Sequence, residues 1–246
     1  MAPDVALAAL RSEAAAFRAA ASQAEPDAPV PSCPGWTVRD LIGHTGAGFG
    51  WIAGHVRRGV TSEPEPRIPV IPDHVDLSWW DGQLAAMIGV LQAVDPDLPA
   101  WNWAPRPKTA SFWHRLEAHE VAMHRWDAQF AVVSAEPIEM QQAVDGVSEV
   151  LDTWLPAGAR RGPTDVAGKV ALYAVDADEQ WHLRLRPGGG FALLDTDTLL
   201  DSDDGHERAV AQGTASDLML ALWDRVDVDV LDITGDQRLL EALRTG

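Results

Sequence analysis

HRLEAHEVAMHRWDAQF, residues 114–130, has an amphipathic pattern with two polar side chains on its apolar face. Its spacing predicts a helix from about residue 110 to residue 134. The predicted inward face consists of Trp113, Leu116, Met123, Ala128 and Phe130. Glu120 and His124 interrupt this face one helical turn apart. Because a buried carboxylate without a partner is costly, we expect a cation, a hydrogen-bond donor or a metal ion beside Glu120.

A metal site would accommodate this polar pair. Residues four apart on a helix project together, so Glu120 and His124 can bind one ion. His44 lies beside the apolar stripe of an earlier predicted helix, so it can point inward and supply a second nitrogen. Three protein ligands leave a coordination position free, which is typical of a catalytic site rather than a structural one. The same ligand types suit zinc, iron, nickel and manganese, and the pattern favours an enzyme.

Simpler interpretations of the same residues stay open at this point. A Glu–His pair one turn apart also occurs as a plain hydrogen-bonded pair, without any metal. Glu117 shares the face of Glu120 and is the reserve ligand. Asp127 is expected either to orient a ligand histidine or to form an ion pair with Arg125 or Arg115.

The order of the predicted elements indicates an α+β protein made of two parts. Helical spacing predicts five helices, over about 3–22, 37–58, 76–94, 110–134 and 136–154. Alternating segments then predict strands at 168–175, 179–186, 191–194 and 226–233, and short helices at 213–225 and 235–244. Helices followed by mixed strands suggest a helical domain at residues 1–160 and a small α/β domain at residues 161–246.

Composition and charge exclude several classes of partner. The 246 residues carry a formal net charge of −18, which argues against nucleic acid or an anionic membrane surface. Cys33 is the single cysteine, so an intrachain disulfide or a cysteine-based zinc site is impossible. An unpaired thiol fits a reducing compartment. The first 21 residues do not resemble a signal peptide, and no apolar run reaches the length of a membrane span. We therefore expect a cytoplasmic protein.

Other segments offer weaker candidates. Arg184 and Arg186 alternate with leucines on a predicted strand, so they face solvent, the other domain or an anionic ligand. Glycines repeat along the second predicted helix, which favours close approach of a neighbouring helix or of a bound molecule. Tryptophans of the 95–109 loop either wall a pocket or cover the core. Cys33 has no histidine close to it in the sequence and is a poor candidate for a nucleophile.

Three segments of the chain form a distinctive combination. They are VPSCPGWTVRDLIGHTGAGFGWI (30–52), EAHEVAMHRWDAQ (117–129) and, in support, GTASDLMLALWDR (213–225) with VLDITGDQRLLEAL (230–243). Together these segments resemble the mycothiol-dependent maleylpyruvate isomerase family, which belongs to the DinB-like superfamily. The resemblance covers nearly the whole chain.

The resemblance implies a DinB-like four-helix bundle that holds a divalent metal, usually zinc, followed by a small C-terminal α/β domain that helps to close the site. Matched motif to motif, the metal ligands are His44, Glu120 and His124. The resemblance also implies mycothiol, the low-molecular-weight thiol of actinobacteria, as co-substrate. The expected partners are this thiol and a small electrophile, and the expected assembly is a monomer or a homodimer.

The resemblance further implies a mechanism. A thiol entering the free metal position loses its proton because a bound cation favours the thiolate, which then attacks the electrophile. Elimination after bond rotation makes the protein an isomerase, whereas a retained adduct makes it an S-transferase. Asp127 is the candidate catalytic group that moves protons. The candidate contacts of the thiol or of a substrate carboxylate are Arg125, Arg184 and Arg186.

Two other functions use the same ligand set. In a metal-dependent hydrolase or oxygenase, water or dioxygen would occupy the free coordination position. In a metal- or ligand-binding regulator, the bundle would be kept without any chemistry. Metal content and thiol binding distinguish these alternatives.

Overall fold

The chain divides into two compact units, Met1–Glu136 and Pro137–Gly246. The computed structural model describes residues 1–105, 107–132, 135–194 and 208–245. None of the helices in these ranges is long and apolar enough to cross a membrane.

The described part of the first unit contains four helices: α1 (Pro3–Ala21), α2 (Val38–Val56), α3 (Leu77–Ala93) and α4 (Ala110–Val132). Helix α1 packs against α4, and α2 packs against α3. Thr37 and Asp40 form a capping box that starts α2, and Asp76 caps α3 by accepting from the backbone N–H of Trp79. These side chains satisfy N–H groups that the first helical turn leaves free, so the sequence fixes where both helices begin.

Aromatic side chains fill the core of the first unit. Trp80 stacks on Phe17 at 4.9 Å between ring centroids and meets the ring of Phe49 at 5.5 Å. The buried indole N–H of Trp80 donates to Thr45 Oγ at 2.8 Å, which satisfies its only donor. The glycines of α2 permit this packing, because a Cβ at Gly46 would overlap the ring of Trp79 on α3. Close helix packing therefore accounts for this glycine.

The inward face of α4 is largely the predicted one. Trp113, Leu116, Met123 and Ala128 are all buried. The expectation for Phe130 is wrong: its side chain is 44% exposed and stacks on Trp126 at 4.8 Å. Near the end of α4, Phe130 therefore packs on a residue of its own helix and does not enter the core. The predicted end of the helix at residue 134 falls outside the described residues.

The second unit combines helices with a mixed sheet. Helix α5 (Met140–Glu149) continues into a π-helical turn, Val150–Trp154. The described strands are β1 (Gly168–Ala174), β2 (Glu179–Leu185), β3 (Phe191–Leu193), β4 (Arg208–Gly213) and β5 (Asp232–Gly235), with α6 (Ala215–Leu222) and α7 (Arg238–Glu241). Their order is β3-β2-β1-β4-β5. Strand β1 pairs with β4 in parallel and with β2 antiparallel, and β2–β3 and β4–β5 are antiparallel.

The second unit differs from the predicted pattern in three places. The fifth helix belongs to it, since α5 packs on α6, so the first unit ends at Glu136 rather than near residue 160. The segment expected as one strand at 226–233 contains a 3-10 turn, Val228–Val230, and strand β5 starts only at Asp232. Strand β4 was not predicted from the sequence, because its buried side chains are the small Ala209 and Ala211.

Gly235 allows the close pairing of β5 with β4. Its φ is +93°, and a Cβ there would overlap the backbone carbonyl of Arg208. We expect Gly235→Ala to destabilise the protein by roughly 3 kcal/mol, since left-handed strain and a backbone clash add. Gly188→Ala is the control, because Gly188 also has a positive φ (+80°) but open space around its Cα. Urea unfolding measures both, and equal losses would show that the clash contributes nothing.

Candidate metal centre

Three side chains from two helices of the first unit converge on one point. His44 lies on α2, and Glu120 and His124 lie one turn apart on α4. One potential ligand atom from each lies within 4.8 Å of the others. His124 Nε2 is 3.6 Å from Glu120 Oε2, and the His44 and His124 rings are 5.0 Å apart. The spacing of these ligand atoms would allow the three side chains to hold one metal ion.

The three side chains differ in exposure. His124 is buried, Glu120 is half-buried and His44 is exposed. The group is therefore accessible from the side of His44 and enclosed behind His124. Glu117, the reserve ligand, is buried but lies outside the converging group.

A buried carboxylate fixes the orientation of His124. His124 Nδ1 lies 2.9 Å from Asp127 Oδ2, and Asp127 is fully buried. A carboxylate accepts hydrogen bonds, so Nδ1 is the nitrogen that donates to Asp127, and in a neutral ring Nε2 then keeps its lone pair. Nε2 is the nitrogen that faces Glu120. A histidine that donates to a carboxylate through one nitrogen and offers the other is the usual arrangement of a metal ligand in proteins.

Residues of the loop before α2 complete this arrangement, and the sequence did not predict them. Ser32 Oγ donates to Asp127 Oδ1 at 2.7 Å, and Cys33 Sγ donates to Asp127 Oδ2 at 3.3 Å. Trp36, from the same loop, packs on His44 at 4.9 Å and on His124 at 6.2 Å. These residues lie more than 70 positions before the start of α4, so no spacing pattern connects them with it.

Arg125 is used inside the first unit. Its guanidinium is buried and donates to Glu13 Oε2 at 2.6 Å and to Gln129 Oε1 at 2.8 Å, and it also donates to the backbone carbonyl of Glu136. These partners occupy the fork of donors, which argues against the expected contact of Arg125 with a thiol or substrate. The carboxylate that pairs with Arg125 at 2.6 Å is that of Glu13 on α1, a partner that the sequence did not predict.

The comparisons with known proteins agree with this architecture. Residues 7–129 match the family model described as the mycothiol maleylpyruvate isomerase N-terminal domain, and residues 141–242 match the one described as the MDMPI C-terminal domain. The chain belongs to the mycothiol maleylpyruvate isomerase family. The expected family and the expected enzyme class of that family are thereby confirmed.

Two crystal structures share the fold of this family member. One is the mycothiol-dependent maleylpyruvate isomerase, with a TM-score of 0.63 and 14% identity. The other is a histidine-to-alanine mutant of that isomerase, with a TM-score of 0.64 and 13% identity. Each match covers 95% of this chain and 93% of the other. No curated protein matches the chain. The expected fold class, a helical bundle followed by a small α/β domain, is confirmed.

The remaining two arginine candidates lie in the second unit of this family member. Arg184 is half-buried on β2, in register with Lys169 on β1. Arg186 follows the end of β2 and is exposed, and its backbone N–H donates to the carbonyl of Gly190 across the PGGG turn. Both arginines stay candidates for contact with an anionic ligand.

A second histidine site in the first unit has a packing role. His55 is 3% exposed and is surrounded by the rings of Trp51, Trp101 and Trp113. Its Nδ1 lies 3.1 Å from the carbonyl oxygen of Trp51. Desolvation by burial lowers the pKa of His55 to about 4. Trp101 of the 95–109 loop thus covers the core around a neutral imidazole.

The buried ion pair of Arg125 predicts a large effect of removing one partner. We expect Glu13→Ala to destabilise the protein by about 3 kcal/mol or more, because it leaves a guanidinium buried without its carboxylate. The control is Asp81→Ala, which breaks the exposed pair with Arg18 and should cost about 1 kcal/mol or less. Chemical denaturation compares the two, and a similar loss in both would contradict a structural role for the buried pair.

The low pKa of His55 predicts a pH-dependent stability. An unfolded histidine takes up a proton near pH 6.5, whereas folded His55 takes it up only near pH 4. The contribution of His55 to the free energy of unfolding should therefore fall as the pH decreases from 7 towards 4 and stay constant below pH 4. Between pH 7 and pH 5, the free energy of unfolding of His55→Gln should fall less than that of wild type, by on the order of 1 kcal/mol. His74→Gln, at an exposed histidine, should keep the wild-type dependence. Identical pH profiles for wild type and His55→Gln would refute the assignment.

Proposed function

We propose that the protein is a metal- and thiol-dependent transferase or isomerase, with mycothiol as the thiol and a small electrophile as the substrate. The observation that carries the proposal is the convergence of His44, Glu120 and His124, with buried Asp127 behind His124. The family of the chain supports the thiol, because its model is described by mycothiol and maleylpyruvate isomerase.

The donor set fits a divalent metal ion, with zinc as the first choice. Two imidazole nitrogens and one carboxylate oxygen are a common catalytic zinc set, and they leave a position free for a further ligand. Asp127 holds the proton of His124 on Nδ1, so Nε2 is available as a ligand atom. A metal bound there would lower the pKa of an incoming thiol and favour the thiolate.

The residues of the chain define the surroundings of this chemistry. His44 lies on the exposed side, so a thiol and a substrate approach from there. Trp36 packs against both histidine rings and forms one side of the group. The fully buried Asp127 holds the ring of His124 in place through the hydrogen bond from Nδ1, so its role is to position this histidine. Arg184 and Arg186 remain the proposed cationic contacts for the anionic groups of the thiol or of the substrate.

The outcome of the reaction depends on the substrate. The thiolate sulfur forms a bond to the electrophilic carbon of a double bond in the substrate. The electron pair of that double bond moves away from the attacked carbon, towards the electron-withdrawing group of the substrate. If rotation about the resulting single bond precedes loss of the thiolate, the product is the geometric isomer. If a proton is added to the adduct, the thioether itself is the product.

Metal and thiol binding test the proposal together. We expect the purified protein to hold about one zinc ion per chain, and His44→Ala to weaken zinc binding more than roughly 100-fold without unfolding the bundle. His74→Ala is the matched control, since His74 is exposed and outside the converging group. Elemental analysis and competition with a chelator measure the affinity, and circular dichroism checks the fold.

The cobalt-substituted protein provides the thiol readout. Addition of mycothiol should produce sulfur-to-cobalt charge-transfer absorption in wild type and in His74→Ala, but not in His44→Ala. The proposal would be overturned if wild type binds no zinc after zinc is added, or if the thiol does not change the spectrum of the cobalt-substituted protein.

A further inference from the structure

The loop before α2, residues 29–37, is a closed and well-braced segment. Pro29 and Thr37 pair as a β-bridge, and the backbone N–H of Val30 donates to the carbonyl of Trp36 at 2.9 Å. Inside this closure, the N–H of Cys33 donates to Val30 and the N–H of Trp36 donates to Cys33, each at 3.0 Å. The loop 29–37 therefore holds its side chains in fixed directions.

Pro34 and Gly35 shape the inner turn of this loop. The turn runs from Cys33 to Trp36, and Gly35 has a φ of +87°. Proline at the second position and glycine with positive φ at the third are the residues that a type II turn requires. This turn directs the Cys33 side chain inward, where it is nearly buried, while Trp36 lies against the two histidine rings.

Ser32 and Cys33 reach the two oxygens of one buried carboxylate. Ser32 Oγ donates to Oδ1 of Asp127, and Cys33 Sγ donates to Oδ2. Oδ2 is also the acceptor of His124 Nδ1. A carboxylate with no solvent exposure stays charged only when hydrogen bonds replace the lost water. The loop thus supplies donors that Asp127 needs in order to serve as the acceptor of His124.

The direction of Asp127 has a consequence for His124. If the carboxylate turned away, Nδ1 would lose its acceptor, and the proton would distribute between the two ring nitrogens. A histidine with its proton on Nε2 offers no lone pair towards Glu120 and His44. The tautomer of His124 therefore depends on what keeps Asp127 in place.

We propose that Ser32 and Cys33 are positioning residues of the metal centre: they lock Asp127 in the orientation that keeps the proton of His124 on Nδ1 and its Nε2 free. The effect on metal binding rests on the proposed function, whereas the effect on the tautomer does not. Cys33 acts here as a hydrogen-bond donor, which gives the single cysteine of the chain a role other than that of a nucleophile.

The test uses full-length variants with one or both donors removed. Ser32→Ala and Cys33→Ala each remove one donor, and the double variant removes both. Cys33→Ser keeps a donor of similar size at the same position. Ser22→Ala is the matched control, because Ser22 is exposed at the end of α1 and its hydroxyl donates to the backbone carbonyl of Ala19. Urea unfolding of every variant reports whether the fold is retained.

The first readout is the tautomer of His124 in the metal-free protein, measured from the side-chain nitrogen shifts in 15N NMR and assigned with His124→Asn. We expect the Nδ1–H tautomer in wild type, Cys33→Ser and Ser22→Ala, and a mixture of tautomers in the double variant. A packing role of the loop would change stability without changing the tautomer. The wild-type tautomer in a folded double variant would overturn the proposal. If the double variant does not fold, the two single variants decide by the same criterion.

The second readout is zinc affinity from competition with a chelator. We expect each single removal to weaken zinc roughly fivefold to tenfold and the double variant roughly 30-fold or more, within the range for partners of ligand histidines. Cys33→Ser should restore most of the affinity lost in Cys33→Ala. Wild-type affinity in the double variant would overturn the effect on metal binding. Failure of wild type itself to bind zinc would refute the proposed function instead and leave the tautomer result to judge the loop.

Discussion

The hydrogen bond between the buried carboxylate of Asp127 and the Nδ1 of His124 is the constraint around which the first unit is organised. A fully buried carboxylate is costly unless donors surround it, and a neutral histidine has only one proton to give. One interaction therefore gives Asp127 a donor and, in a neutral ring, favours the Nδ1–H tautomer of His124. Helix α4 supplies both groups one turn apart, and the loop 29–37 supplies further donors. The converging group depends on this local balance of donors and acceptors.

Arg125 and His124 are neighbours in the sequence, and each pairs with a buried carboxylate. The guanidinium of Arg125 is paired with Glu13 on α1, and His124 is paired with Asp127 on its own helix. Asp127 in turn accepts from Ser32 and Cys33 of the loop 29–37. The two side chains therefore connect α4 with two different parts of the first unit.

The sequence predicts the parts of the site that follow from helical geometry. Glu120 and His124 are four residues apart on a strongly patterned helix, and His44 lies beside the apolar stripe of another, so their convergence follows from periodicity. Ser32 and Cys33 could not be predicted in this way, because contacts from a loop to a distant helix leave no periodic signal. Arg125 has a similar problem: its charge is visible in the sequence, but its pairing with Glu13 on α1 depends on how the helices pack.

The fold shows the same limit. The type of most elements follows from spacing, whereas the partner of an element does not. Helix α5 has a clear helical pattern, yet only its packing on α6 places it in the second unit. Phe130 continues the apolar pattern of α4 after the helix has left the core, so pattern alone overstates its burial. Strand β4 carries alanines at its buried positions, and small side chains give a weak signal for a central strand.

The capping box of α2 connects these features mechanically. Thr37 closes the loop 29–37 through its bridge to Pro29 and, together with Asp40, starts the helix that carries His44. The donors for Asp127 and the exposed histidine are therefore anchored at one half-buried residue, on opposite sides of it along the chain. The capping pair thus sets the position of the loop 29–37 relative to His44. In natural variants of this chain, neutral-looking changes at Thr37 or Asp40 would act on the site at a distance.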